Sequence, residues 1–213
     1  MLPDDPDTTT VQGYHQQLGI NALAPFLLQH FLAPLMLSTA AFPATKANSV
    51  RVVFVSSSGH GAAPMPDGVC WDDINLFKNE KTGIKREIER YGQSKAVNVM
   101  LAHEFARRYG DKGIVSFSLH PGALSTGLQR NAPAWFNAIF GLLRKEPRYG
   151  ALTELFAGLI ELSDQEKEER NGGYILPWGR WGEANKDIVE GLERRGSGDR
   201  LWKLCEGMLE NYM

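Results

Sequence analysis

Hydrophobic residues in this chain form three short apolar runs, the first of them rich in β-branched residues, separated by longer stretches with helical periodicity. The runs are bounded by turn residues and predict buried strands at residues 51–55, 114–120 and 173–177. Helices are predicted around them at residues 12–37, 90–109, 134–143, 147–162 and in the charged tail, 183–212. Strands that alternate with helices pair in parallel through right-handed crossovers. The pattern therefore predicts an α/β fold in which about three parallel strands have helices at their flanks.

The first predicted helix lies in a segment, residues 8–45, that contains no Asp, Glu, Lys or Arg. A segment of this length is long enough to cross a bilayer. Polar side chains such as Asn21 and Gln29 interrupt it, as do Pro25 and Pro34. We therefore predict a buried helix, or two helical pieces with a kink near Asn21, and no membrane span.

The second long helix, residues 90–109, is apolar around most of its circumference. This pattern predicts that the sheet covers one face and another element covers a second face. The charged residues 78–90 before it predict a solvated surface. Residues 59–80 lack periodicity and predict a long loop, and long loops in compact domains often carry function.

The charge balance narrows the classes of partner, since 23 Lys and Arg against 25 Asp and Glu give a net charge of −2. No basic cluster is present, which argues against nucleic acid or an acidic membrane surface as the main partner. Cys70 and Cys205 lack the spacing of a redox or metal site, and no histidine has metal-ligand spacing, so we expect reduced thiols, no metal and a cytoplasmic location. The acidic residues after Met1 are unlike a targeting peptide. We expect residues 1–213 to form one domain.

The candidate chemistry begins with Tyr91 and Lys95, which are four residues apart on a predicted helix and so share one face. An ammonium beside a phenol favours the ionised phenol, and lowering a phenol pKa from about 10 to about 7 requires roughly 4 kcal/mol. We therefore predict that Lys95 lowers the pKa of Tyr91. Taken alone this pair is weak evidence, because a surface Tyr beside a Lys gives the same spacing.

Other polar residues are predicted at the same place. Ser57 follows the first strand, and residues 120–126 follow the second. In a parallel sheet, ligands bind beyond the carboxyl ends of the strands. The exposed backbone and hydroxyl groups of residues 120–126 could therefore hold part of a cofactor beside Ser57 and Tyr91.

Five segments, in the same order, resemble the short-chain dehydrogenase/reductase superfamily, above all its retinol-dehydrogenase-like and fungal members. They are QLGINALAPFLL, RVVFVSSSGH, YGQSKAVNVMLAHEFARRY, VSFSLHPGALSTGL and NGGYILPWGRWGE. The resemblance extends over nearly the whole chain. It implies a Rossmann-like, doubly wound parallel sheet, of which this chain carries the C-terminal half.

The resemblance also implies roles for individual residues. Tyr91 is implied as the acid/base, Ser57 as a hydrogen-bond partner of the reacting oxygen, and Lys95 as the group that tunes Tyr91 and holds the nicotinamide ribose. Asn21 is implied to maintain a water relay at the helix kink. The implied cofactor is NADP or NAD, contacted by Tyr91, Lys95, Pro121, Gly122, Leu124 and Thr126.

One departure from the family concerns the cofactor. The glycine-rich TGxxxGIG turn and the NNAG strand, which precede the first helix in the family, do not occur in this sequence. We therefore expect an N-terminally incomplete domain that binds NAD(P) weakly, because the pyrophosphate normally sits on that turn.

Three interpretations follow. The first is an oxidoreductase that moves hydride between NAD(P) and a small lipophilic alcohol or carbonyl, in a fungal, secondary-metabolic setting. The second is a truncated, non-catalytic remnant that binds a full-length relative, and the third is an incomplete gene product without a function of its own. The family builds a dimer interface from the helices predicted at residues 12–37 and 90–109, so self-association or instability in isolation is expected.

Overall fold

A four-stranded sheet organises the protein, whose computed structural model describes residues 7–78, 81, 83–127 and 144–213. The strands lie in the order β1–β2–β3–β4, with bounds Val50–Val55, Ile114–Leu119, Tyr174–Leu176 and Arg180–Gly182. β1, β2 and β3 pair in parallel, as predicted. The fourth strand corrects the prediction of three: β4 pairs antiparallel with β3. Its three residues carry no β-branched run that could have revealed it.

Six helices in the described residues surround the sheet. Their bounds are α1 Gln16–Ala41, α2 Gly83–Tyr109, α3 Arg148–Leu159, α4 Asp164–Arg170, α5 Lys186–Arg194 and α6 Ser197–Leu209. Short 3-10 turns lie at Ser58–Ala62, Gly110–Lys112 and Glu210–Tyr212. The helix predicted at residues 134–143 lies outside the described residues. The tail is mostly helical, as the sequence predicts.

The helices pack on both faces of the sheet. All six residues of β2 are buried, which places this strand at the centre. On one face, α1, α2 and α6 contribute to one large apolar cluster that includes Phe26, Phe105 and Trp202. On the other face, Phe117 and Ile175 pack with Ala157 of α3. The result is a sheet covered on both sides, as expected for parallel strands.

Helix α1 has the predicted irregularity but not the predicted burial. It contains a π-helical segment, Gly19–Leu23, that includes Asn21. In the following segment, Ala24–Ala41, only Phe26 and Ala33 are buried. The expectation of a buried helix is therefore wrong for its outer face, which exposes Ile20, Leu28, Phe31, Leu32 and Leu35. We call these five residues the α1 stripe.

Helix α1 also has the length and composition of a membrane-crossing helix, with about a fifth of its most apolar window buried. Core helices of soluble proteins have the same length and composition, so this feature is weak evidence for a membrane span.

Helix α2 begins at Gly83, seven residues before its predicted start, and the predicted solvated surface is only partly present: Lys78, Lys81 and Lys85 are exposed. Glu87, Glu89 and Arg90 are buried there. The Arg90 guanidinium donates to the Glu87 carboxylate at 2.7 Å, and the Gln17 amide donates to the same carboxylate at 3.1 Å. Burial is tolerated because these charges are paired and hydrogen-bonded. The prediction of a solvated surface is wrong for these buried residues, because a charged residue in the sequence does not show that an ion-pair or hydrogen-bond partner lies close to it in the fold.

The second covered face of α2 is provided by the C-terminal helix of the same chain. The Trp202 ring of α6 lies 5.1 Å from the Phe105 ring of α2 and 4.9 Å from the Phe26 ring of α1. The Arg108 guanidinium stacks 4.3 Å from the centroid of the Trp202 ring. This helix therefore supplies, within the chain, the second cover that the apolar pattern of α2 predicts.

Candidate functional site

The carboxyl ends of β1 and β2 bring the predicted site residues to one edge of the sheet. Ser57 follows β1 and caps the 3-10 turn Ser58–Ala62. Tyr91 and Lys95 lie on α2, one turn apart. Residues 120–126 follow β2 directly.

The three consecutive serines after β1 have different surroundings. Ser56 is buried, and its hydroxyl donates to the Lys95 carbonyl at 2.7 Å. The Ser57 Oγ accepts the Gly59 N–H at 3.0 Å and lies close enough to the Tyr91 phenol to lower the pKa of that group. Ser58 is exposed. Ser57 is therefore the serine that contacts the Tyr91 phenol.

The electrostatics of the Tyr91–Lys95 pair differ from the sequence prediction. Burial raises the pKa of the Tyr91 phenol, and the hydrogen bond with Ser57 lowers it by less. Burial also lowers the pKa of Lys95 to about 8. The Lys95 Nζ donates to the Val55 carbonyl at 3.0 Å and lies 5.8 Å from the centroid of the Tyr91 ring. The prediction that Tyr91 has a lowered pKa is wrong here, because desolvation outweighs the hydrogen bond.

Asn21 contacts the backbone of the Tyr91 turn through one intermediate side chain. Its Nδ2 donates to the Ser94 Oγ at 3.1 Å, and that hydroxyl donates to the Tyr91 carbonyl at 2.9 Å. The π-helical segment of α1 thus delivers the Asn21 amide to the first turn after Tyr91. The predicted water relay is not tested by these contacts.

Two glycines let α2 lie directly on the Ser58–Ala62 turn. A Cβ on Gly92 would be 2.7 Å from the Ala63 nitrogen and 2.9 Å from the Gly59 carbonyl oxygen. A Cβ on Gly59 would be 2.8 Å from Cε1 of the Tyr91 ring. These residues set the distance between Ser57 and Tyr91. Sequence reasoning missed them, although a glycine within a helix beside Tyr91 is a visible signal of close approach.

Four of the six predicted cofactor residues lie in one loop after β2, and the other two, Tyr91 and Lys95, lie on α2. Gly122 has a φ of +102°, which favours glycine, and its N–H donates to Nδ1 of His120 at 3.2 Å. The Ser125 N–H donates to the Lys145 carbonyl at 2.8 Å, and the Lys145 N–H donates to the Ala123 carbonyl at 2.8 Å. These bonds hold the loop beside the sheet edge. Of the predicted residues in this loop, Pro121, Gly122 and Leu124 are half-buried, and Thr126 is exposed.

His60 and Tyr174 also lie at the site, although the sequence did not indicate either of them as a site residue. His60 is buried three residues after Ser57. The Tyr174 hydroxyl of β3 lies 3.4 Å from Nδ1 of His60. Burial raises the pKa of Tyr174, and the neighbouring Tyr91 raises it further. Burial lowers the pKa of His60.

The residues that the structure describes contain no candidate metal site. No group of three or more His, Cys, Asp or Glu side chains there could hold a metal ion.

No protein-family model matches the chain, but fungal short-chain dehydrogenases/reductases do. It is 35% identical over 208 residues to the short-chain dehydrogenase/reductase pkfC of Emericella nidulans, an alignment that covers 97% of this chain and 62% of that protein. A short-chain dehydrogenase/reductase of Armillaria gallica is 34% identical, with 97% and 61% covered. One of Phomopsis amygdali is 35% identical, with 96% and 61% covered. These relatives support the short-chain dehydrogenase/reductase superfamily, and the chain spans about three fifths of their length.

Solved structures share the fold. An uncharacterised protein from Mycobacterium paratuberculosis superimposes with a TM-score of 0.59 at 23% identity, covering 95% of this chain and 62% of that one. The NADPH-bound carbonyl reductase from chicken fatty liver gives a TM-score of 0.51 at 17% identity, covering 82% and 60%. Both agree with the Rossmann-like α/β architecture predicted from the sequence.

Proposed function

We propose that this chain carries the catalytic edge of a short-chain dehydrogenase/reductase of the retinol-dehydrogenase-like or fungal type. The reaction moves a hydride between NADP or NAD and a small lipophilic alcohol or carbonyl, in fungal secondary metabolism. The observation that carries the proposal is the half-buried Tyr91 phenol beside Ser57, with Lys95 one turn away on the same helix. Fungal relatives at about 35% identity over nearly the whole chain add support.

The residues at the sheet edge fit the ribose and nicotinamide part of the cofactor. Gly122 leaves the backbone of its loop open to close approach, and the Lys95 ammonium lies beside Tyr91. The sequence contains no TGxxxGIG turn for the pyrophosphate. We therefore propose that these 213 residues bind NAD(P) weakly.

In the proposed mechanism, Tyr91 donates a proton to the substrate oxygen during carbonyl reduction and accepts it during alcohol oxidation. Bound NAD(P)H supplies the hydride to the carbonyl carbon. The raised pKa keeps the phenol protonated, which is the form that carbonyl reduction requires. Ser57 hydrogen-bonds the same oxygen, and Lys95 contacts the ribose. Lys95 loses its proton at about pH 8, so its charge is present at neutral pH.

The test is turnover of lipophilic carbonyls at millimolar NADPH or NADH. Tyr91→Phe removes the proton donor, so we expect turnover to be abolished while cofactor affinity, measured by calorimetry, is nearly unchanged. Tyr212→Phe, which changes an exposed tyrosine, serves as the control. Retained turnover in Tyr91→Phe contradicts the mechanism, and micromolar cofactor affinity of the wild-type chain contradicts the proposed weak binding.

A second candidate, a non-catalytic chain that binds a copy of itself or a full-length relative, is favoured by two observations. The α1 stripe exposes large apolar side chains, and in the described residues β1 pairs with β2 on one edge only. Exposed apolar patches and open strand edges favour association. Free Cys70 and Cys205 support a cytosolic setting. Sedimentation of the purified chain tests the proposed association: a soluble monomer with a cooperative melt contradicts it.

A further inference from the structure

His60 is held from both ring nitrogens. Its side chain is 6% exposed. The Asn185 backbone N–H donates to its Nε2 at 3.0 Å, and its Nδ1 lies 2.5 Å from the Ser57 carbonyl oxygen. A backbone N–H can only donate, so Nε2 is the acceptor and carries no proton. Nδ1 therefore carries the proton and donates to the Ser57 carbonyl, and burial favours this neutral form because it lowers the pKa of His60.

On the Nδ1 side, the contacts of His60 lead through Ser57 to Tyr91. The Ser57 carbonyl accepts the backbone N–H of His60 at 3.1 Å as well as its ring N–H. Two donors from one residue fix the orientation of that peptide group. The Ser57 hydroxyl on the same residue accepts the Gly59 N–H and contacts Tyr91. A change at Nδ1 of His60 therefore acts on the hydroxyl through the Ser57 backbone.

On the Nε2 side, His60 contacts Asn185, which is distant in the sequence. Asn185 caps helix α5, because its side-chain oxygen accepts the Asp187 N–H at 2.9 Å. The Tyr174 ring packs edge-on against the imidazole, with centroids 5.2 Å apart and planes at 78°. The imidazole is thereby confined between the serine turn, β3 and the start of α5.

We propose that His60 is a positioning residue that aligns the Ser57 hydroxyl with Tyr91 and ties the serine turn to the N-terminus of α5. It does not touch substrate or cofactor and acts through the Ser57 peptide group. The effect of His60 on catalysis rests on the proposed function. Its effect on the position of Ser57 and of the N-terminus of α5 does not depend on that function.

Two near-isosteric substitutions separate the two ends of the imidazole. In His60→Asn, the amide nitrogen occupies the place of Nδ1 and can still donate to Ser57, whereas nothing accepts the Asn185 N–H. In His60→Gln, the amide oxygen reaches the place of Nε2 and can accept from Asn185, whereas the donor to Ser57 is lost. Each variant therefore removes one bond and keeps the other.

Amide hydrogen exchange in the full chain reports both ends without any need for turnover. Loss of one hydrogen bond of ordinary strength gives about tenfold faster exchange. We expect His60→Asn to accelerate exchange at Asn185, which loses its acceptor, by about tenfold and to leave Gly59 nearly unchanged. We expect His60→Gln to leave Asn185 nearly unchanged and to accelerate exchange at Gly59, because its acceptor, the Ser57 Oγ, is no longer held in place. Equal exchange rates at Gly59 in the two variants, or a wild-type imidazole that NMR shows protonated on Nε2, overturns the proposal.

Turnover provides the second arm. If the proposed reaction is observed, His60→Gln should lower kcat more than His60→Asn, with an unchanged KM for the cofactor, because Lys95 and residues 120–126 are untouched. A merely structural role predicts equal kcat losses that follow the melting temperatures, and that result overturns the proposal. If the wild-type chain shows no turnover, the proposed function fails while the exchange experiment still decides the role of His60.

Discussion

The contact between α2 and the Ser58–Ala62 turn can be tested by one added methyl group, in Gly92→Ala. The new Cβ would lie 2.7 Å from the Ala63 nitrogen, 2.8 Å from the Ala62 carbonyl carbon and 2.9 Å from the Gly59 oxygen. Ordinary contacts begin at about 3.4 Å. All three neighbours are backbone atoms, so no side chain can rotate away. The helix or the turn must move by several tenths of an ångström.

Two opposing terms set the size of the effect. Alanine is favoured over glycine within a helix by about 1 kcal/mol. Overpacking of a well-packed site costs about 1–3 kcal/mol, and backbone neighbours argue for the upper part of that range. We therefore expect Gly92→Ala to lower the free energy of unfolding by about 1–2 kcal/mol. For a chain of this length, the melting temperature should fall by roughly 2–8 °C. Turnover should also fall, since Tyr91 is the adjacent residue.

A matched control is available in α6. Gly207 is also helical, and a Cβ placed there would have no neighbour within 4 Å. Gly207→Ala should therefore raise the free energy of unfolding by up to about 1 kcal/mol. Urea unfolding followed by circular dichroism measures both variants. The reasoning is refuted if Gly92→Ala is as stable as the wild type while Gly207→Ala shows its gain.

Two further predictions concern the packing and charge around α6. Trp202→Ala should lower the free energy of unfolding by about 3–5 kcal/mol, because the buried ring covers α2, and a loss below about 1 kcal/mol in urea melts would contradict this packing. Burial raises the pKa of Glu104, but the neighbouring His103, the hydrogen bonds from Arg107 and the charges of Arg107 and Arg108 outweigh it and lower the pKa to about 2. Roughly 3 kcal/mol of stability should therefore be present above about pH 4.5 and lost as the pH falls towards about 2. Glu104→Gln should flatten that acid limb in melts recorded across the range, and an unchanged limb would exclude Glu104 as its source.

The sequence by itself determined the strands and the edge where the site lies. Short apolar runs bounded by turns located β1, β2 and β3, because a strand buried on both faces has a local hydrophobic signature. Their alternation with helices gave the parallel order, and parallel order brings Ser57 and Tyr91 to one edge. The irregularity of α1 at Asn21 was also visible locally.

Tertiary structure decided what depends on partners far apart in the chain. The three residues of β4 form a strand only because β3 presents an edge to them. Glu87 and Arg90 are buried only because they pair with each other, while Gln17 also donates to Glu87 and Arg90 also donates to the Leu76 carbonyl. The pKa of Tyr91 rises because desolvation depends on everything packed around the phenol, which spacing to Lys95 does not reveal. His60 takes its place beside Ser57 from Asn185, 125 residues away, and no local pattern records a contact made at that distance.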